Sequence, residues 1–438
     1  MTDPLVEQVA DTVGDQPTGR SLPRALTPFR TPAYRRLAVA LVLYSFAAGV
    51  WIVGMVWEVI RLGGGPAQLS FVTTAGAVGV LLPALVAGVV ADRVPQRTIL
   101  QWVCAMELVG VGLVALLALT GTTALWHLAV VSFAAGVAMA FYYPAYSAWL
   151  PALVPESDLM AVNGFEGMVR PTIQQALGPA VAGAVVGATS PGAAILVAAV
   201  AYAASLVALS VVPLTPVRRE LDADAGGHPV RSALADMGEG FRYMVRTPWL
   251  LATLLFASLM VLAVMGPLEV LVPFLIKNRL GGGPGDHAMV LAAFGIGGAV
   301  GSLTMASLRM PRRYLTLMNL IWGVSCLPFL WMGVADAVWM VVAAAFLMGI
   351  AFSAPMVIWG TLLQRRVPPA LLGRVASLDF FVSVSLMPVS MALAGPVSEA
   401  IGLRTTFTVA GLVPLVAAVV AVVAARLPAD ELAHPLRD

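Results

Sequence analysis

Residues 37–60 read LAVALVLYSFAAGVWIVGMVWEVI and are followed at once by RLGGGP, residues 61–66. The first stretch holds a single charged residue, Glu58, and an apolar run of about 20 residues spans the hydrocarbon core of a membrane as one helix. This run is too long for the apolar core of a signal peptide, so we expect it to be retained as the first membrane span. The preceding residues 1–36 are polar and rich in Pro, Gly and Arg, which predicts a disordered tail.

Similar apolar runs recur along the whole chain. Of its 438 residues, 60% are hydrophobic and only 11% are charged, whereas an ordinary soluble domain carries roughly 25% charged residues. The runs predict twelve spans, at residues 37–60, 69–91, 98–119, 125–150, 160–187, 192–213, 249–276, 287–308, 314–335, 338–363, 375–398 and 404–426. The predicted fold is therefore an all-α membrane protein with twelve transmembrane helices.

An internal repeat divides these spans into two halves. The hexapeptide RLGGGP at residues 61–66 returns unchanged at residues 279–284, each copy lying just outside the first span of its half. Later positions also align, namely Arg93 and Arg97 with Arg309 and Arg313, Gly136 with Gly349, Pro155 with Pro368, and Glu166 with Asp379. Such a repeat predicts two six-helix bundles with a site between them near the middle of the membrane.

The basic residues predict the orientation. Most of the 25 Lys and Arg residues fall in the tails and alternate loops, and only Arg61, Lys277, Arg279 and Arg404 fall on the opposite side. The positive-inside rule then places both termini in the cytoplasm of a multi-pass protein of the inner (plasma) membrane. The predicted parts are a cytoplasmic tail 1–36, an N-terminal bundle 37–213, a cytoplasmic linker 214–248 with a short interfacial helix at 234–243, a C-terminal bundle 249–427 and a tail 428–438.

One motif at the inner end of the second span carries a family resemblance. Gly88, Asp92, Arg93 and Arg97, spaced G-x-x-x-D-R-x-x-x-R, resemble motif A of the major facilitator superfamily. The resemblance implies a lock, in which the acid accepts hydrogen bonds from a neighbouring helix N-terminus and the arginines bind carboxylates or lipid phosphates. The alternative is an ordinary positive-inside loop with one acid. The second-half copy has Leu308 in place of the acid, so only the first half should carry the full lock.

Further motifs cover most of the chain. They are Tyr143–Tyr146, Leu153–Glu156, Asn163, Arg170–Pro171, Gly178–Ala180, Gly266–Val270 and Gly373–Asp379. Together they resemble the branch that includes enterobactin exporters and macrolide- or tetracycline-type proton antiporters. Residues 178–187 resemble the antiporter motif, although small residues equally form packing seams. Residues 46–49 lack the acid that many relatives carry, and the fourth span lacks the arginine of many drug antiporters. The residues that couple transport to protons in those relatives therefore cannot all be transferred to this chain.

Charged residues inside spans are the functional candidates, because a charge at mid-bilayer costs roughly 2.5–3.5 kcal/mol on insertion scales and should face a cavity or a partner. The candidates for proton coupling are Glu58, Glu107, Glu166, Glu269 and Asp379. The candidates for gating are Gly88, Asp92, Arg93, Arg97, Arg170 and Arg374. For Glu58 the alternative is an interfacial residue beside Arg61, and for Glu107 it is a buried structural hydrogen bond.

Two hypotheses follow from the placement of these acids. Glu269 has no basic residue within one turn on its own helix and is the predicted proton carrier. Glu166 and Arg170 are four residues apart on one helix face, which predicts an ion pair. Asp379 holds the repeat position of Glu166, whereas the position of Arg170 is taken by Ser383. Arg170 is therefore predicted to bridge to Asp379 in the outward-facing state, the alternative being a static pair and an interfacial acid.

The predicted substrate cavity consists of aromatic, methionine and amide positions. It comprises Tyr44, Trp51, Tyr146, Gln174, Met265, Met356 and Trp359. Methionine and aromatic surfaces tolerate varied apolar ligands. The alternative for each of these residues is plain helix packing.

The predicted function is proton-coupled export of an amphipathic small molecule such as a drug, a siderophore or another secondary metabolite. The expected partners are this substrate, protons and membrane lipids, with no nucleic acid and no cofactor, and the expected state is a monomer. An importer or facilitator of a polar nutrient is the first alternative. An intramembrane enzyme is disfavoured because no histidine lies deep in a span, and ATP-driven transport because there is no Walker-type loop. Cys104 and Cys326 lie in apolar runs and are predicted to be thiols packed among helices.

Overall fold

The computed structural model describes residues 24–84, 87, 90, 94–155, 158–213 and 229–436, and this part of the chain is all-helical. The helices of the first half, residues 24–213, are α1 (Pro32–Arg61), α2 (Pro66–Leu81), α3 (Gln96–Thr120), α4 (Leu125–Leu153), α5 (Leu159–Val169, Arg170–Leu177 and Gly178–Ala188) and α6 (Pro191–Ser210). The middle segment of α5 is π-helical.

The second half, residues 229–436, starts with α7 (Pro229–Arg246) in the predicted linker. The helices after it are α8 (Pro248–Arg279), α9 (Pro284–Ser307), α10 (Tyr314–Val334), α11 (Val338–Arg366), α12 (Pro369–Ser385 and Met387–Ile401), α13 (Leu403–Ala424) and α14 (Leu427–Ala433). Helix α8 contains π-helical segments at Pro267–Leu271 and Leu275–Arg279. Because α7 separates the halves, helices α1 to α6 correspond in the repeat to α8 to α13.

Ten helical stretches among the described residues are long and apolar enough to cross a membrane. The predicted spans 69–91 and 160–187 are not among these ten. They coincide with α2, a shorter apolar helix that is described to Leu81, and with α5. The chain is thus an all-helical, multi-pass membrane protein, and the count of twelve stays a prediction.

The hexapeptide makes the same turn in both halves. Gly63 and Gly281 have φ angles of 78° and 66°, a left-handed conformation that glycine adopts without steric penalty. The backbone N–H groups of Gly65 and Gly283 each donate to a side chain three residues later, at 2.9 and 2.7 Å. The turn therefore ends one helix and starts the next in the same way at both places.

Glycines bring helices within each half into backbone contact. A Cβ atom on Gly136 of α4 would collide with the carbonyl oxygen of Gly76 in α2, and one on Gly349 of α11 would collide with that of Phe294 in α9. The aligned pair Gly136 and Gly349 thus has the same packing role in both halves. The thiols of Cys104 and Cys326 are buried, as predicted.

The two halves meet where α2 packs on α12 and α5 packs on α9. The backbone N–H of Gly395 donates to the Ser70 hydroxyl at 2.8 Å, and a Cβ on Gly395 would lie 2.6 Å from the Ala67 nitrogen. Likewise, a Cβ on Gly183 would lie 2.7 Å from the Cβ of Ala288. We call these contacts, Ser70 and Ala67 with Gly395 and Gly183 with Ala288, the seal. The seal lies toward the end of the molecule that carries the hexapeptides.

The helices diverge toward the opposite end. The first segment of α5, Leu159–Val169, chiefly contacts a short 3₁₀ helix at Arg24–Arg30 and the π-helical segment that follows it in α5, both from the first half. Met168 on α5 and Met356 on α11 are each 53% exposed. Within the described residues the interface between the halves is therefore closed at the hexapeptide end and opens toward the other.

Short helices occur in both segments that were predicted as tails. Residues 1–23 lie outside the described residues, but the 3₁₀ helix Arg24–Arg30 packs the Phe29 ring 5.3 Å from Tyr34 and 5.1 Å from Phe165. At the other end, α14 presents the buried Glu431, which accepts hydrogen bonds from the N–H groups of Leu315 and Thr316 at 3.0 and 3.1 Å. This carboxylate caps the N-terminus of α10, where the helix dipole favours negative charge.

The linker helix also docks on the second half. It runs over Pro229–Arg246, longer than the predicted 234–243. Glu239 forms an ion pair with Arg374 of α12, and the Tyr243 hydroxyl donates to the Arg366 carbonyl of α11 at 3.3 Å. This part of the linker is therefore fastened to the helices that follow it.

Candidate functional site

Two π-helical segments lie on the interface between the halves. Arg170–Leu177 of α5 packs against α9, and Pro267–Leu271 of α8 contacts α2 and α12. Helix α12 is interrupted at Leu386, which aligns in the repeat with the π-helical segment of α5. Short π-helical turns occur often at functional sites. These segments were not predicted from the sequence. The prolines in them were an available signal, because proline lacks the N–H that an α-helix requires.

Glu269 lies in the π-helical segment of α8. Its side chain is partly buried, and no hydrogen bond or ion pair to it is found among the described residues. Met265, one turn earlier, is also partly buried. Because the segment contacts α2 of the other half, Glu269 is placed where a change in the contact between the halves would alter its surroundings.

Asp379 has a defined set of donors on the second half. Its Oδ2 atom accepts from the Trp359 indole N–H at 2.9 Å and its Oδ1 atom accepts from the Ser383 hydroxyl at 3.3 Å. Trp359 is only 7% exposed. The Trp359 ring therefore packs inside the second half and its N–H orients an acid, whereas its place in the substrate cavity stays a prediction.

The predicted ion pair between Glu166 and Arg170 is not formed in this structure. The Arg170 guanidinium carbon lies 5.9 Å from the centroid of the Tyr143 ring, and the Arg170 side chain is exposed. A solvated guanidinium gains little from an ion pair, because water screens the charges. Nor does Arg170 bridge to Asp379, whose two oxygens face Trp359 and Ser383.

Glu58 is fully buried and forms a two-point ion pair with Arg61, with both N–O distances at 2.7 Å. This geometry favours the structural alternative that the sequence left open. Glu107 differs, because it is 3% exposed and its Oε2 atom has no hydrogen-bond partner among the described residues. Its electrostatic neighbours include Tyr44 and Tyr202, so it lies inside the first half rather than on the interface.

Three aromatic residues predicted to line the cavity are buried in this structure. Tyr44, Trp51 and Tyr146 are 5%, 6% and 0% exposed, and the Tyr44 ring stacks on Tyr142 with centroids 3.8 Å apart. The Tyr146 ring is also stacked beside Tyr142, with centroids 6.3 Å apart, so both tyrosines contact a ring of their own half. Their place in the substrate cavity, and that of Trp51, stays a prediction.

The predicted cavity residues that remain accessible are fewer. Met356 is exposed, Met265 and Gln174 are partly buried, and the Gln174 Oε1 atom has no hydrogen-bond partner among the described residues. Tyr143, three residues before the buried Tyr146, is partly buried beside Arg170 and aligns in the repeat with Met356. Tyr143 was not among the cavity residues predicted from the sequence.

Most of the predicted lock lies outside the described residues, namely Gly88, Asp92 and Arg93. Arg97 is described, and its Nη2 atom donates to the Ser210 carbonyl at 2.6 Å, which ties the start of α3 to the end of α6. Arg374 pairs with Glu239 of the linker helix. Both arginines therefore fasten elements within one half of the chain.

The candidate residues that are not fully buried are the acid Glu269, which has no cationic partner among the described residues, the amide Gln174, and the methionines Met265 and Met356. An acid of this kind can exchange a proton or attract a cationic group, and thioether side chains adapt to apolar shapes. No group of three or more metal-binding side chains occurs in the described part of the chain. The arrangement is suited to binding small molecules and protons.

Known proteins resemble the chain over most of its length. The profile of the family described as "transmembrane secretion effector" matches residues 23–436. The multidrug efflux pump Tap of Mycolicibacterium fortuitum is 28% identical over 90% of this chain and 97% of its own length. Macrolide efflux protein A of Streptococcus pyogenes is 22% identical over 76% of this chain and 81% of its own. The crystal structure of a mutant nucleoside transporter NupG aligns with a TM-score of 0.70 at 13% identity, over 90% of this chain and 99% of the other.

These matches confirm the predicted resemblance. The similar proteins are transporters of the major facilitator type, several of them drug efflux proteins, and none of those named is an enzyme. The NupG structure confirms the fold alone, because its sequence identity is low. Since the family profile covers nearly the whole chain, the chain is a transporter that belongs to the transmembrane secretion effector family of the major facilitator superfamily.

Proposed function

We propose that this transporter exports amphipathic small molecules, such as a drug, a siderophore or another secondary metabolite, and that proton entry drives the export. The observation that carries the proposal is Glu269, an acid without a cationic partner among the described residues, on a π-helical segment between the halves. Relatives named as drug efflux proteins support the substrate class. The exposed or partly buried methionines near the interface fit apolar ligands of varied shape.

Twelve spans in two six-helix bundles complete the proposed architecture. The hexapeptide repeat and the repeated packing of Gly136 and Gly349 support it. The distribution of Arg and Lys supports a plasma-membrane protein with both termini in the cytoplasm. In that orientation the seal closes the outer side, so the conformation described corresponds to an inward-facing state.

Alternating access would then expose Glu269 to each side in turn. In the inward-facing state the seal keeps the outer side closed. Opening the seal would separate α2 from α12 and from the segment that carries Glu269. A proton taken up from outside would neutralise the acid, and an uncharged side chain tolerates burial between the halves better than a charged one. Release of the proton inside would make the acid available again for a cationic or polar group of the next substrate molecule.

The test is a Glu269→Gln variant in proteoliposomes, with ethidium as a cationic probe and an imposed pH gradient. We expect gradient-driven accumulation to be lost while exchange of labelled for unlabelled ethidium persists, because glutamine binds no proton but preserves size and shape. Glu399→Gln changes an exposed acid at the hexapeptide end of α12 and is the matched control. Normal accumulation by Glu269→Gln would exclude the role, and loss in Glu107→Gln instead would assign coupling to the buried acid.

A further inference from the structure

An apolar groove lies on the first half, beside the end of α1 that is opposite to the hexapeptides. It has a volume of about 380 Å³, and its wall comes from α1, from the 3₁₀ helix before it and from the first segment of α5. Six of the seven lining residues are apolar, and they are Phe29, Ala38, Val39, Val42, Leu43 and Phe165. The seventh is Arg35. We call this feature the α1 groove.

The groove exists because α5 diverges from α1. Farther along both helices the backbones touch, since a Cβ atom on Gly49 of α1 would collide with the Gln174 carbonyl oxygen of α5. Val42 lies two turns before Gly49 on the same face of α1. At that level the first segment of α5 packs instead on the 3₁₀ helix, where the Phe165 and Phe29 ring centroids are 5.1 Å apart. The space left between α1 and this segment is the groove.

The groove opens to the outside of the helical bundle. Gly49 of α1 points to α5, whereas the Ala40 carbonyl accepts a hydrogen bond from the Ser205 hydroxyl of α6 at 2.9 Å. Successive residues turn by about 100° around a helix, so Val39 and Leu43 lie on the face between these two directions. Val39 is 49% exposed. Because α9 of the other half also packs on α5, the gap between α5 and α6 opens away from the interface between the halves.

The apolar wall lies at the depth of lipid chains, and the arginine lies at the depth of lipid headgroups. Helix α1 has 30 residues and is therefore about 45 Å long, about 15 Å more than the hydrocarbon core of a bilayer. Shared between the two ends, this excess places about five residues at each end beyond the core. Arg35 is the fourth residue of α1 and lies beyond the core, whereas residues 38–43 lie inside it.

Arg35 is available to an anionic ligand. Its side chain is exposed, and no hydrogen bond or ion pair of its guanidinium occurs in the described part of the chain. The neighbouring Arg36 differs, because its Nη1 atom donates to the Val211 carbonyl at 2.8 Å and fastens α1 to the end of α6. No acid is found among the described residues that line the groove. The groove therefore complements a molecule with a hydrocarbon tail and an anionic head.

We propose that the α1 groove binds one acyl chain of an anionic phospholipid, whose phosphate group pairs with Arg35. A lipid chain gains little hydrophobic free energy on moving from the bilayer to a protein groove, so its retention depends on van der Waals contact with the groove wall and on the charge of Arg35. A bound chain would fill the space between α1 and the first segment of α5 and hold the two apart in this conformation. This site is separate from Glu269 and does not depend on proton coupling.

The experiment uses the full-length protein in phosphatidylcholine vesicles that contain a small fraction of phosphatidylglycerol with a diazirine on one acyl chain. After illumination, peptide mass spectrometry measures how much label each segment carries. We expect the label to concentrate at residues 38–43 and at Phe165, in excess over Val200, an exposed apolar residue of α6. Equal labelling of Val200 and the groove would overturn the proposal, because the chain would then contact apolar surfaces without preference.

A variant that fills the groove tests the place of the chain. Val39→Phe adds a ring inside the groove, and Val200→Phe, the matched control, adds the same ring to an exposed position outside it. We expect the label at Phe165 to be lost in Val39→Phe and kept in Val200→Phe. Unchanged labelling in a Val39→Phe protein that elutes as the parent does in size-exclusion chromatography would overturn the proposal.

A variant that removes the charge tests the headgroup. Arg35→Gln should lower the groove label about fivefold, because one basic residue near an anionic surface contributes about that factor. Arg35→Lys keeps the charge and should retain most of the label. Arg312→Gln removes an exposed arginine before α10 and is the matched control. Equal loss in Arg35→Gln and Arg312→Gln would overturn the pairing with Arg35, as would equal groove labelling by phosphatidylcholine that carries the same diazirine chain.

Discussion

Replacement of Gly395 by alanine should open the seal between the halves. An added Cβ would lie 2.6 Å from the Ala67 nitrogen and from the carbonyl carbon and oxygen of Pro66, whereas ordinary contact begins at 3.4 Å. These neighbours are backbone atoms, so no side chain can rotate away. The two backbones must separate by roughly 0.8 Å to admit the methyl group, which would also weaken the hydrogen bond from Gly395 to Ser70.

The magnitude follows from two opposing effects. Forcing an extra methyl group into a packed site costs about 1–3 kcal/mol, and this applies only while the seal is closed. Alanine also stabilises a helix over glycine by about 1 kcal/mol, but it does so in both conformations. We therefore expect the equilibrium to shift by about 5- to 150-fold toward the conformation in which the seal is open.

Spin labels at the hexapeptide end can measure this shift. Thr122 follows α3 and Asp336 precedes α11, and both residues are exposed. Spin-labelled cysteines at these two positions report the distance between the halves, once both buried native cysteines are replaced by alanine. Double electron–electron resonance should show a longer distance gaining population in Gly395→Ala. A distance distribution identical to that of the parent protein would refute the packing argument.

Gly187→Ala is the matched control for this experiment. Gly187 lies in α5 near the same end of the molecule, and a Cβ there would meet no atom within 4 Å among the described residues. The control contains the same gain in helix propensity without the collision. An equal shift in Gly187→Ala would therefore show that helix propensity, and not the seal, controls the equilibrium.

Three further predictions concern named acids. Glu431→Gln weakens the cap on α10 and should reduce the free energy of unfolding by about 1–3 kcal/mol. Fluorescence-detected melting should show a lower melting temperature for this variant, and an unchanged one for Glu399→Gln, which alters an exposed acid. Trp359→Phe removes the 2.9 Å donor to Asp379 and should slow ethidium efflux without unfolding the protein, and an unchanged rate would count against a role for that acid. Asp379→Arg should impair efflux and its combination with Arg170→Asp should restore part of it; a double variant no better than the worse single one would dismiss the proposed gate.

Several features of the site could be predicted because they depend on local sequence. Glu269 has no basic neighbour on its own helix, and tertiary packing brings no ion pair to it among the described residues. For Glu58 the sequence offered Arg61, three residues away, as a neighbour, and the two side chains do form an ion pair. Interactions within one helical turn follow from helix geometry alone, so sequence spacing was sufficient to anticipate them.

Other features depend on how the helices are rotated and packed. Tyr146 and Trp359 are buried while Met356, three residues before Trp359, is exposed, and an apolar helix in lipid carries no polar face that would indicate its rotation. Likewise, the ion pair expected for Arg170 was replaced by contact with Tyr143 from another helix. Helix rotation is decided by shape complementarity with neighbours, which spacing along one helix does not contain.

The fold class follows from the sequence alone, because backbone polar groups in lipid must be satisfied internally and long apolar runs therefore become helices. The repeat follows from the sequence as well, since the hexapeptide is identical in both halves. Helix packing, by contrast, brings α2 against α12 at Gly395 and lets Glu431 cap a helix more than a hundred residues away in the chain. These contacts join residues far apart in the chain, and their energies depend on distances that exist only once the helices have packed.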